Sequence, residues 1–173
     1  NNGGDGLVIA RHLHSAGHRH LMVYVLAPQK QRSSLFEQQM RRIQSHGIRI
    51  VDLVEGPEKT EALRSSSLII DALFGIGLSR PIEGEYLSLV ELMNSVRVPV
   101  VAVDCPSGLN CDTGKVCGQV VKADMTISFG LAKPGFFVAD GPRHVGKLRI
   151  LSIGFPYESL RGVATTHFPL TAK

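Results

Sequence analysis

Three stretches of this sequence carry residues of the types and spacing needed to bind and process a polar ligand. The first is Asn1-Asn2-Gly3-Gly4-Asp5-Gly6, where glycines let backbone N–H groups approach a ligand and a helix starting there favours an anion. The second is Asp71 with the loop Phe74-Gly75-Ile76-Gly77-Leu78-Ser79-Arg80-Pro81, which offers glycines, a hydroxyl and a guanidinium to a phosphate. The third is Asp104-Cys105-Pro106-Ser107-Gly108, a carboxylate followed by a tight bend. Each also has a plain structural reading: a glycine-rich turn can be only a turn, and Asp71 and Asp104 can simply cap the loops they open. The case for chemistry rests on where the three stretches fall.

The elements between them alternate between helix and strand. Leu7, Val8, Ala10 and Leu13 recur at helical spacing and predict a helix over 6–16, ended by Gly17. An apolar strand is expected at 20–26, then a helix from the Ser33-Ser34 cap to about 46, stopped by Gly47. Further strands are expected at 48–54, 68–73, 98–104, 125–129 and 148–153, with a helix at 86–95. The 98–104 run is apolar almost throughout, as in a strand covered on both faces. This alternation predicts one α/β domain over 1–173 with a mainly parallel sheet. Such sheets bind ligands beyond the carboxyl ends of their strands, and all three polar stretches belong there, the first following a strand that would precede Asn1.

Composition narrows the partners. Hydrophobic residues make up 43% and charged residues 20%, ordinary for a soluble globular protein. No apolar run approaches the roughly 18 residues of a membrane-spanning helix, and no basic-then-apolar leader opens the sequence. A net charge of +4 and a pI near 9.2 suit a phosphate-bearing ligand. Nucleic acid is not expected, because only His18-Arg19-His20 and Arg41-Arg42 cluster. Three cysteines, six residues apart and without a C-x-x-C pair, read as free thiols in a reducing compartment rather than as zinc ligands or a disulfide framework. Of His12, His14, His18 and His20, only His14 and His18 share a helical face, so a histidine metal site is not expected. Ser107 lacks a nucleophile elbow and Cys105 lacks a partner base. Lys133 either reaches a ligand or is solvated.

With these residues in view, the sequence resembles a known family. Asn1-Asn2-Gly3-Gly4-Asp5-Gly6 resembles the opening loop of the NAD(P)H-hydrate epimerases, the YjeF N-terminal domain family. Asp71-Ala72-Leu73-Phe74-Gly75-Ile76-Gly77 resembles its second signature, and Val103-Asp104-Cys105-Pro106-Ser107-Gly108-Leu109 with Asp112-Thr113-Gly114 its third. Ala123-Asp124-Met125-Thr126, Leu131-Ala132-Lys133-Pro134-Gly135 and Gly146-Lys147-Leu148 follow in the expected order. The resemblance runs from residue 1 to about Pro156.

The resemblance implies a three-layer α/β/α Rossmann-like sandwich and an isomerase that interconverts the R and S forms of NADHX and NADPHX. In these damaged cofactors carbon 6 of the nicotinamide ring bears a hydroxyl, and a companion dehydratase acting on the S form recovers the whole pool. By match of motifs, Asn1, Asn2, Gly3, Gly4, Asp5, Gly75, Ile76, Gly77, Leu78, Ser79, Arg80, Pro81 and Asp104 line the substrate site. The same match implies that Asn2, Asp71 and Ser107 hold one potassium ion per subunit. Asp104 is the expected catalytic residue, passing a proton to and from the carbon 6 oxygen. A homodimer is compatible with this family, no membrane or nucleic-acid partner is implied, and the compartment expected is the cytoplasm, or the mitochondrion if a transit segment precedes this stretch. Two departures stand out. The strand expected before Asn1 is missing, so the sheet should lose a member and the first loop its anchor, and the sequence ends shortly after Pro169, as either a stand-alone epimerase or a piece of a longer protein would. The competing readings are a catalytically silent nucleotide- or protein-binding module of the same fold, which should lack Asn2, Asp71 or Asp104, and an NAD-dependent oxidoreductase, which needs a ribose-binding acid where Ala27-Pro28-Gln29 stands.

Overall fold

Helices and short strands alternate as α1 (Asn2–Ser15), β1 (Met22–Val25), α2 (Ser34–Ser45), β2 (Arg49–Asp52), α3 (Pro57–Arg64), β3 (Ile69–Asp71), α4 (Gly84–Ser95), β4 (Val100–Val103), β5 (Met125–Phe129) and β6 (Lys147–Leu151). The computed structural model describes residues 2–26, 32–52, 57–156 and 158. Local chemistry sets several boundaries. Ser33 caps α2 by accepting a hydrogen bond from the Phe36 N–H at 3.2 Å, and Gly47, with φ of 69°, lets the chain leave that helix. No described helix is long and apolar enough to cross a membrane.

All pairings between these strands are parallel, but they form two sheets, β1-β2 and β3-β4-β5-β6. Between β1 and β3 lies a cavity of about 460 Å³, lined among others by Leu7, Ala10, Tyr24, Ile70, Leu89 and Met93. β1 and β3, which face it, share no ladder hydrogen bonds. One core cluster joins Leu7 of α1, Val25 of β1, Met40 and Ile43 of α2 and Ile48 before β2. A second joins Leu63, Ile69, Leu89, Val90, Met93 and Val100 across α3, β3, α4 and β4. Strands with helical layers against them give the three-layer α/β arrangement.

Several expectations need correction. The glycine-rich stretch is not a loop before a helix: Asn2 to Asp5 already form the first turn of α1. Glycine disfavours helix, yet tertiary hydrogen bonds from Asn2 fix this turn, overriding propensity. α3 was not foreseen, because its short stretch lacks a strong apolar stripe. β1, β3 and β4 are shorter than the runs 20–26, 68–73 and 98–104 expected for them, while β5 covers the expected 125–129. The reading of three free thiols also fails. Cys105 and Cys111 are joined as a disulfide with Cα atoms 6.7 Å apart, brought together by the bend at Pro106-Ser107-Gly108, and only Cys117 is free.

Candidate active site

The carboxyl ends of β3 and β4 carry a buried hydrogen-bonded knot. Asp71, the last residue of β3, is 1% exposed. One of its oxygens accepts the Ser107 hydroxyl at 2.6 Å and the Leu73 N–H at 3.3 Å, and the other accepts the Ser107 N–H at 2.8 Å. Ser107, wholly buried, in turn accepts the Phe74 N–H at 2.9 Å. The Phe74 carbonyl takes one hydrogen of the Asn2 side-chain amide at 2.9 Å, and the Val103 carbonyl takes the other at 3.0 Å. The knot thus pins the start of α1 to the ends of β3 and β4 and brings Asn2, Asp71 and Ser107 together. Burial pushes the Asp71 carboxyl above its ordinary range, opposed by the hydrogen bonds from Ser107 and Leu73. No Lys, Arg or His partner accompanies it among the described residues.

Close packing shapes the same corner. A Cβ on Gly6 would lie 2.7 Å from the Ala72 Cβ, so only glycine lets α1 approach the residue after β3 this closely. A Cβ on Gly75 would meet the Asn2 side chain at 3.3 Å. In the loop that follows, Ile76, Gly77, Ser79, Arg80 and Pro81 are exposed. Leu78 instead sends its side chain into the second core cluster, while its carbonyl accepts the Asn110 amide at 3.2 Å. Gly3 and Gly4 are half-buried and Asp5 is exposed on the first turn of α1. Partial burial raises the Asp5 carboxyl from its ordinary value, and the negative charge of Asp104 adds to the rise, which places the two carboxyls within each other's field. Asn1 lies outside the described residues.

Asp104 follows β4 and holds a left-handed backbone, φ 64°, rare for a non-glycine residue. Its N–H donates to the Ile127 carbonyl at 2.8 Å, extending the β4–β5 ladder by one residue. Its Oδ1 accepts the Lys133 ammonium at 2.6 Å, the Ser128 hydroxyl at 3.1 Å and the Phe129 N–H at 3.1 Å. Sequence reasoning missed Ser128 and left Lys133 open between ligand and solvent; the structure pairs it with the acid. The available signal was topological. A lysine shortly after a strand that neighbours an acid-ended strand lies at the same end of the sheet. The four histidines give no metal cluster: among the described residues no group of three or more His, Cys, Asp or Glu is placed to hold a metal.

Comparison with known proteins identifies the family. A family model described as "YjeF-related protein N-terminus" matches residues 1–135. A Limosilactobacillus fermentum protein named NAD(P)H-hydrate epimerase is 43% identical over 150 residues, 86% of this chain and 68% of the relative. A Thermofilum pendens protein named bifunctional NAD(P)H-hydrate repair enzyme Nnr is 42% identical over 158 residues, 90% of this chain but 30% of that longer relative. The crystal structure of the yeast protein ynu0 superposes with a TM-score of 0.77 at 24% identity, covering 98% of this chain and 70% of that one, which shows the shared fold. The match across most of the chain, together with Asn2, Asp71, Ser107 and Asp104 gathered at adjoining strand ends, makes this chain a member of the YjeF-related N-terminal domain family.

Proposed function

We propose that this domain is an NAD(P)H-hydrate epimerase, interconverting the R and S forms of NADHX and NADPHX. The observation that carries the reading is the convergence of Asn2, Asp71 and Ser107 in one knot beside Asp104, at the strand ends where α/β sheets bind ligands. The names of its relatives point to the same substrates. The first turn of α1 presents free backbone N–H groups to a phosphate, and the exposed Ser79 and Arg80 supply further donors from the opposite loop. Asp104 exchanges the proton that opening and closing the ring at carbon 6 requires, a contribution of about 10²–10⁴-fold.

The residues also fit the potassium ion that the family resemblance implies. Asp71 is a buried carboxylate with no cationic partner among the described residues, Ser107 adds a hydroxyl hydrogen-bonded to it, and Asn2 joins them through the Phe74 carbonyl. An all-oxygen set of one charge and neutral dipoles suits a hard monovalent cation. Bound there, the ion supplies positive charge that fixes the loops and attracts phosphate, while the proton chemistry stays with the chain's own side chains.

The longer relatives are named bifunctional NAD(P)H-hydrate repair enzymes, which supports a coupling of this activity to a second repair step. The test is to mix R-form hydrate with purified protein and an S-specific dehydratase, with and without potassium. Faster consumption of the R form than in buffer supports the reading, and a rate equal to spontaneous epimerisation contradicts it.

A further inference from the structure

The ammonium of Lys133 has three hydrogens and three acceptors. It donates to Asp104 Oδ1 at 2.6 Å, to the Ser128 hydroxyl at 2.8 Å and to the Phe129 carbonyl at 2.8 Å. Its capacity is filled, so it is neither a solvated lysine nor one with a hydrogen left for a ligand. A planar guanidinium could not reproduce this tripod. On the other side of the contact, all the hydrogen bonds that the Asp104 carboxyl accepts from described residues converge on Oδ1, and Oδ2 takes none. An oxygen already facing the Lys133 ammonium, the Ser128 hydroxyl and the Phe129 N–H has no room for a hydrogen of its own.

We propose that Lys133 is the positioning residue for Asp104, occupying one carboxyl oxygen together with Ser128 and the Phe129 N–H so that Oδ2 alone exchanges a proton with substrate. The inference rests on the epimerase reading and adds to it a role for the lysine and a division of labour between two oxygens. It also selects a chemical route. Asp104 Oδ2 takes the proton from the carbon 6 hydroxyl, and the O–H electron pair becomes the second bond of a C=O. The bond from carbon 6 to the ring nitrogen breaks, its electron pair stays on nitrogen, and Oδ2 delivers the same proton there. Rotation of the open aldehyde and the reverse steps close the ring on the opposite face. No proton is gained or lost overall and no oxidant or reductant takes part.

The coupled assay described above tests this with Lys133→Ala. The expected result is a fall in kcat of about 10²-fold with KM within about threefold, since uniform substrate binding is untouched. Propylammonium should restore part of the rate and tetramethylammonium, which has no N–H, should not. Lys133→Ala added to Asp104→Asn should cost little more, because the lysine acts through the acid. Parental kcat, a loss confined to KM, or equal rescue by both cations overturns the inference. Ser128→Ala, which keeps the lysine and removes the hydroxyl between it and the acid, gives a smaller loss of about tenfold in kcat and decides the matter if Lys133→Ala does not fold; parental kcat there overturns it. A second readout needs no turnover: the Asp104 ¹³Cγ resonance should move in Lys133→Ala and stay in Lys115→Ala, an exposed control. An unmoved resonance overturns the inference. A parent protein that accelerates nothing overturns the epimerase reading instead.

Discussion

The two sheets of this molecule do different work. The β3–β6 sheet ends in polar groups held by hydrogen bonds: the buried Asp71 and Ser107 on one side, and the half-buried Asp104 and Lys133 with the buried Ser128 on the other. The β1–β2 sheet, with α1 and α2 against it, is held by an apolar cluster around Ile43, which is wholly buried. From this half the first turn of α1 reaches the polar site, through Asn2. A cavity lies between β1 and β3, and Tyr24 and Leu26 still pack against the core of the larger sheet. The comparison teaches that one half supplies the chemistry and the other supplies a helix terminus and the packing behind it. Stability and turnover should therefore respond to different substitutions.

The sharpest separation comes from Asp104→Asn, which keeps shape but cannot exchange a proton in the same way. Its kcat should fall by about 10²–10⁴-fold in the coupled assay. In the other half, Ile43→Ala should lower the unfolding free energy by about 2–5 kcal/mol in urea titration, while the folded fraction keeps parental kcat. Loss of kcat in that variant would break the distinction between the halves. Gly6→Ala acts at their junction. Forcing a methyl against Ala72 should cost about 1–3 kcal/mol and also raise KM, because the helix turn that meets phosphate is displaced. Potassium should raise the melting temperature of the parent by a few degrees, the size of about 1 kcal/mol, and do so far less in Asp71→Asn. Equal stabilisation of both would remove the cation from the knot. At the small end, Leu35→Ala, on an exposed face of α2, should stay within about 0.5 kcal/mol of the parent in stability and leave kcat unchanged.

Much of the fold was legible because its signals are local. β5 shows alternating burial over Met125–Phe129, where a strand was expected, and α2 carries its own start and stop in Ser33 and Gly47. The site was legible as three strand-end clusters for the same reason, and the structure gathers Asn2, Asp71 and Ser107 as one unit. What escaped was non-local. The helical start at Asn2 depends on carbonyls 72 and 101 residues away. Lys133 finds Asp104 across 29 residues because β4 and β5 are neighbours in space. The Cys105–Cys111 link depends on how the intervening bend folds back, which spacing alone does not say. The break between the sheets is a matter of which strands pair, which no apolar pattern encodes.

The most direct test of the central claim follows the ratio of R to S hydrate by chromatography, starting once from pure R and once from pure S, with parent protein, with Asp104→Asn and with buffer alone. The account predicts that the parent drives both mixtures to the same final ratio well ahead of buffer, and that Asp104→Asn tracks close to buffer. A parent no faster than buffer, or an Asp104→Asn protein as fast as the parent, would contradict it.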